Sequence, residues 1–145
     1  MKTLVVCITT FLLSSLNAFS QHENDIVGKW LNGLGNEKIE IYKKDNQFFG
    51  KLIWLKDPLD DKKEPIKDIN NKDSYHKTRP LVGIDIFKNI VYYRNNIWRG
   101  GRVYDPKSGR TYNCQIALRD SNKLNVRRYY GITILGRTET WTRDE

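Results

Sequence analysis

The sequence predicts an all-β fold, an antiparallel up-and-down β-barrel of about eight strands with one long loop. Three observations lead there. From Lys38 onward, large apolar residues alternate with charged or polar ones, the period of a half-buried strand. The alternating runs are separated by short turns rich in Asp, Asn, Pro and Gly. No strong helical pattern interrupts the series, and closure into a barrel removes the exposed edges that would otherwise aggregate.

The chain opens differently. Lys2 gives a positive start, Leu4 to Leu16 is an apolar run, and Ala18-Phe19-Ser20 places small residues where a signal peptidase reads. Residues 1–20 are therefore expected to be a signal peptide and the mature chain to begin near Gln21. The run is shorter than the roughly 20 apolar residues of a membrane span, so no span is expected. Residues 21–145 have the length of a single domain. Export implies a periplasmic or secreted protein and argues against a nucleic-acid partner. Cys7 leaves with the signal, so Cys114 stays alone and no internal disulfide forms.

Lys38 to Tyr42 and Gln47 to Leu55 read as a hairpin turning at Asp45-Asn46. Asp57 to Pro80 carries three prolines and few apolar residues, too long for an ordinary connection, and is expected to be the most mobile mature segment. Leu81 to Tyr93 resumes the β pattern. Trp98 to Tyr104 and Arg110 to Leu118 form another hairpin around Asp105-Pro106-Lys107-Ser108-Gly109. Gly100-Gly101 inside a strand marks a bulge, a sharp bend or a close approach. Leu124 to Tyr130 and Gly136 to Arg143 complete the series.

The formal net charge is +8, and Ile97 to Arg143 holds ten Lys or Arg against three Asp or Glu. Once Lys2 is removed, that stretch carries the whole excess. It is either a set of solvated strand faces or a surface for an anionic partner. In the last strand, Arg137, Glu139, Trp141 and Arg143 share one face, and Thr138, Thr140 and Thr142 the other. If Trp141 faces inward it takes Arg137, Glu139 and Arg143 with it, and charges enclosed by a barrel must be paired or bound to a ligand; the alternative parity, which a bulge could select, puts the threonines inward. Trp98, Arg102 and Tyr104 form a second aromatic–cation row, and Arg127 joins the candidates from the neighbouring strand.

Other chemistry is sparse. Two histidines, His22 and His76, and one mature cysteine make no zinc pattern, so no metal or cofactor is expected. Asp68 to Asp73 has the Asp and Asn of a calcium loop, but Lys72 stands where a ligand belongs and the glycine turn is lacking. Asp68 and Asn70 are expected to bond their own backbone. Cys114 falls on the apolar face with Tyr112 and Ile116, which predicts an inert buried thiol. No catalytic residue is assigned.

Two resemblances add to this reading. Gly28-Lys29-Trp30 resembles the G-x-W that opens lipocalin-like (calycin) barrels. In those proteins the Trp closes one end beneath an Arg from the last strand. For this chain that implies closure by Gly28, Trp30 and Arg143, with Arg137 as the alternative if a bulge shifts the register. More extensively, "IVGKW", "KIEIYKK", "FFGKLIWLK", "DINN", "TRPLVG", "GGRVYDP", "SGRTY" and "VRRYYGITILGRTETWTR" run in the order of the exported bacterial family DUF2147. The resemblance implies an exported lipocalin-like barrel and supplies no catalytic residue. Many of its members carry a cysteine pair around the first hairpin turn, where this chain has Lys and Phe.

The function expected from the sequence is non-enzymatic binding of a small amphipathic or anionic molecule, or of an envelope component. The candidate ligand residues are Trp98, Arg102, Tyr104, Arg127, Arg137, Glu139 and Trp141. The alternatives are a filled structural or interaction barrel without a ligand, and a hydrolase of envelope material.

Overall fold

A computed structural model describes residues 22–145. The expected signal segment, Met1 to Ser20, and the mature start at Gln21 lie outside the described residues. The strands are β1 (Gly28–Leu31), β2 (Glu37–Lys44), β3 (Gln47–Leu55), β4 (Asp85–Arg94), β5 (Ile97–Asp105), β6 (Arg110–Asp120), β7 (Lys123–Tyr129) and β8 (Gly136–Asp144). Each pairs antiparallel with the next, and β1 also pairs with β8, so the barrel closes. Among the described residues no helix is long and apolar enough to cross a membrane.

Up-and-down winding sends alternate connections to opposite ends. One end carries the β2–β3, β4–β5 and β6–β7 turns. Asp45-Asn46 and Asn95-Asn96 make the first two tight by taking positive φ, which short Asp and Asn side chains tolerate. The segment before β1 covers this end. Trp30 is fully buried and donates Nε1–H to the Ile26 carbonyl at 2.9 Å, while Trp98 donates to the Glu23 carbonyl at 3.0 Å. Burying each indole stabilises the barrel by roughly 4–6 kcal/mol of apolar area, an upper figure.

Arg143 locks the same end. Its guanidinium lies 4.1 Å from the Trp30 ring centroid, because Trp30 and Arg143 are register partners across the β1–β8 seam. It donates to three carbonyls: Ser121 at 2.7 Å, Val27 at 3.0 Å and Asp25 at 2.7 Å. Gly28 has φ +135°, and a Cβ there would sit 2.7 Å from Arg143 Nη1, so glycine is needed for both backbone and space.

The interior is filled mostly by Phe48, Phe87, Trp98 and Trp141 with Ile and Leu between them. Cys114 is fully buried, and burial pushes its thiol pKa up to about 12.

Three expectations need correction. The run Leu81 to Ile84 is not strand. It bends at Gly83 (φ +103°) and hooks onto β3 through Gly83 N–H to Leu52 O and Leu52 N–H to Ile84 O. The row Trp98, Arg102, Tyr104 is broken: Gly100 takes φ +82°, and the β5–β6 register shifts between Trp98 and Gly101. The bulge leaves Trp98 and Val103 buried, while Arg102 is exposed and Tyr104 only partly covered. Third, the 57–80 loop is pinned rather than free. Asp68 has no exposed surface and accepts from Arg79 Nη2 (2.8 Å) and Nε (3.1 Å), Asn71 Nδ2 (2.8 Å) and the Tyr104 hydroxyl (2.5 Å). Asn70 donates its side-chain amide to the Pro106 and Lys107 carbonyls. Neither side chain bonds its own backbone; both stitch the loop to its own far end or to β5 and the β5–β6 turn.

Candidate functional site

The other end of the barrel carries the connections 32–36, 56–84, 106–109 and 130–135. They surround a mouth with two adjoining compartments. The inner one enters the barrel above a floor of Leu52, Phe87, Val103, Val126 and Trp141, and holds about 130 Å³. That is well below the roughly 300–1,000 Å³ of a small-molecule site, so the aromatic filling leaves little depth. The outer one is a cleft of about 310 Å³ between the mouth and the long loop. Leu55, Ile66, Ile69 and Leu81 give it an apolar wall, and Asp57, Lys67 and Asn70 a polar one. Glu37, Leu52, Pro106 and Lys107 line both, so the two form one continuous site.

The polar lining is fixed by local geometry. Asn32, nearly buried, accepts the Asn36 and Glu37 N–H groups and shapes the β1–β2 loop. Glu139 faces inward, accepting from Trp141 Nε1 at 2.8 Å and Gly33 N–H at 3.1 Å. Glu37 follows the parity of Ile39 and Ile41 and faces the mouth. Burial raises its carboxyl above the ordinary 4.5; Lys107 opposes the rise, Glu139 and Asp105 add to it, and Arg128 opposes it. Tyr104 at the lip is pushed up to about 12, by burial first and then by its hydrogen bond to Asp68.

On the β7–β8 side, Arg128 and Arg137 stand directly opposite each other in register. Like charges so placed repel unless something compensates them. Both line a further cleft of about 300 Å³, beside the packed Tyr112–Tyr130 pair. The exposed Arg137 side chain makes no hydrogen bond or ion pair among the described residues.

The residues singled out in the sequence therefore separate. Glu139 and Trp141 lie in the mouth, Arg137 stands at its lip, and Tyr104 lines it while tethering the loop. Trp98 belongs to the closed end with Gly28, Trp30 and Arg143. Arg102 is on the outer wall, donating to Asn113 at 2.9 Å. Arg127 also lies outside, donating to Thr133 O, Ile134 O and Thr138 Oγ1. Sequence reasoning passed over Arg128, although it shares parity with buried Leu124 and Val126, and Glu37, although it shares parity with Ile39. Lys107, Ile66, Ile69 and Leu81 gave no periodic signal, because they sit in turns and the long loop. Among the described residues, no group of three or more His, Cys, Asp or Glu side chains is placed to hold a metal ion.

A closed eight-stranded antiparallel barrel, plugged by tryptophan under arginine at one end and open at the other, defines a lipocalin-like protein. The solved structure of HP1028 from the human pathogen Helicobacter pylori, described as belonging to the lipocalin family, is similar in fold. The match has a TM-score of 0.74 and 20% identity over 83% of each chain. Residues 28–143 match the family described as "Uncharacterized protein conserved in bacteria (DUF2147)", and the chain belongs to that family. No curated protein matches.

Proposed function

We propose that this is an exported binding protein for a small amphipathic molecule with an anionic head. The observation that carries the reading is the cleft under the long loop, apolar on one wall and continuous with a charged mouth. The tail lies against Leu55, Ile66, Ile69 and Leu81. The head meets Lys107 and Arg128, which are held in place by strand and turn. The ligand sits at the mouth because the barrel below is filled. The test is calorimetric titration with octanoate and decanoate below their micellar concentrations. Affinity should rise roughly fourfold per methylene, the worth of one buried CH₂, and should fall in Ile69→Gln and Lys107→Gln. Absence of any chain-length dependence would refute the reading.

A hydrolase is the second reading, favoured by one observation: Glu37, with its raised pKa, shares the mouth with Glu139. A carboxyl whose proton is favoured by burial, sharing a cleft with a second acid, is an arrangement acid–base chemistry uses. A purified protein that turns over no glycoside or ester substrate, while still binding decanoate, decides for binding.

A further inference from the structure

Apolar exposure on this molecule is lopsided. The large apolar side chains more than 70% exposed among the described residues are Leu34, Tyr75, Ile134 and Leu135, and all four lie in connections at the mouth end. The next most exposed, Ile69 and Ile132, lie there too. The turns at the closed end offer Asp45-Asn46, Asn95-Asn96 and Ser121-Asn122, with no apolar tip among them. Exposed single apolar residues are ordinary, and Val27, Val91 and Tyr93 toward the closed end are partly exposed too; the gathering of the most exposed tips at one end of a barrel is not ordinary.

The sharpest feature is the β7–β8 connection, which raises Ile132, Ile134 and Leu135 clear of the lip. It is preformed. Leu135 N–H bonds Ile132 O at 3.2 Å, and Arg127 reaches from outside to hold the Thr133 and Ile134 carbonyls at 2.7 and 3.1 Å. Arg127 thus spends its charge keeping an apolar knuckle exposed. At the base of that knuckle stand Arg128 and Arg137, opposed and like-charged. The acid on the same lining, Asp105, already accepts from Lys107 N–H and the Ser108 hydroxyl.

We propose that the mouth end docks on a lipid surface that carries anionic headgroups. The knuckle and Leu34 enter the boundary between headgroups and acyl chains, and Arg128 and Arg137 meet the headgroup charge. A protein partner fits less well. Protein interfaces are closely packed contiguous patches, whereas these tips come from separate loops around a cleft. A fluid phase covers each tip without needing a matching shape. Docking also sets the mouth against the phase from which an amphipathic ligand would come, but it does not require the cleft to be occupied.

The test is co-sedimentation of the purified protein with phosphatidylcholine vesicles, with and without phosphatidylglycerol, alongside titration with free glycerol phosphate. Binding should need the anionic lipid and weaken with salt. Ile134→Asp with Leu135→Asp should lower it by at least about tenfold, and Arg137→Gln by roughly fivefold. Both variants should melt at or above the parent's temperature, since these side chains are exposed and Arg137 faces a like charge. Failure to bind anionic vesicles, undiminished binding by the double Asp variant, or binding of glycerol phosphate without vesicles would each overturn the proposal. Decanoate binding by the double Asp variant separates the two readings. Retained decanoate binding with lost docking in that variant leaves the cleft reading standing, and docking by the parent protein without any decanoate binding removes the cleft reading alone.

Discussion

Replacing Asp68 by alanine should loosen the long loop and the barrel together. Asp68 is the charged side chain that is fully buried among the described residues. Removing one partner of a fully buried ion pair costs about 3–5 kcal/mol. Here Arg79 keeps 33% of its side chain exposed and can return to water, so the lower part of that range applies. The Tyr104 hydroxyl also loses its acceptor, at about 1 kcal/mol. The total is about 3–4 kcal/mol, which lowers the melting temperature of a domain this size by roughly 10–15 °C. Thermal unfolding by circular dichroism reads the loss. Limited proteolysis reads its location, since cleavage within 57–80 should become fast in the variant and stay slow in the parent. Tyr104→Phe alone should cost about 1–2 kcal/mol, and the double variant less than the sum of the singles, because both remove one hydrogen bond. A shift under about 3 °C with an equally resistant loop would show that the Asp68 network does not hold the loop.

The pH dependence follows from the same groups. Tyr104 and Tyr42 are both raised from 10 to about 12, by burial and then by bonds to Asp68 and Asp85. A raised tyrosine contributes stability that is complete below pH 10 and is lost as pH climbs to 12. Denaturant unfolding between those limits should flatten in Tyr104→Phe. Glu37 is also raised, so its proton stabilises the fold below about pH 4.5 and the benefit disappears as pH rises through the folded value. Glu37→Gln should therefore raise the melting temperature at pH 7 and leave it nearly unchanged at pH 4. Cys114 should resist bulky thiol reagents in the native state and react only on unfolding, which a labelling time course with and without urea measures. Arg143→Lys should cost about 2–3 kcal/mol by thermal melting, since an ammonium cannot both stack on Trp30 and reach three carbonyls.

What the sequence made legible depended on periodicity. Strands with strict alternation, such as Arg110–Asp120, could be oriented from the residues alone, and Tyr112, Cys114 and Ile116 point as their parity requires. The β1–β8 register followed from barrel topology, which brought Trp30 to Arg143. Parity failed at Gly100, where one left-handed residue reverses every following side chain, so that Arg102 moved from an expected lining to the outer wall. Between the adjacent arginines parity was informative, and the candidate Arg127 went against it. Arg127 and Arg128 look alike in the sequence, but only Arg128 falls in phase with Val126. The loop was illegible for another reason. Asp68, Arg79 and Tyr104 meet through tertiary contact across a polar segment, and no local pattern encodes that meeting.

The two ends of the barrel are built on opposite terms. At the closed end, Trp30, Trp98 and Arg143 bury their surface and satisfy their donors on named carbonyls within the chain. At the mouth, Arg137 faces the like charge of Arg128 with no side-chain bond of its own, Glu37 is half-buried against its charge, and apolar tips stand in solvent. Each of these features costs stability, and none serves closure. A fold already sealed by Trp and Arg at one end can sustain such costs at the other. The two sets should therefore respond separately to mutation. Changes at Gly28, Trp30 or Arg143 should lower stability and leave the mouth's affinity for decanoate or vesicles intact in the folded fraction. Changes at Arg137, Ile134 or Leu135 should do the reverse. An Arg137→Gln variant that loses stability while keeping full affinity would mean that the arginine pair serves the fold, and that the mouth must be read again from its acids.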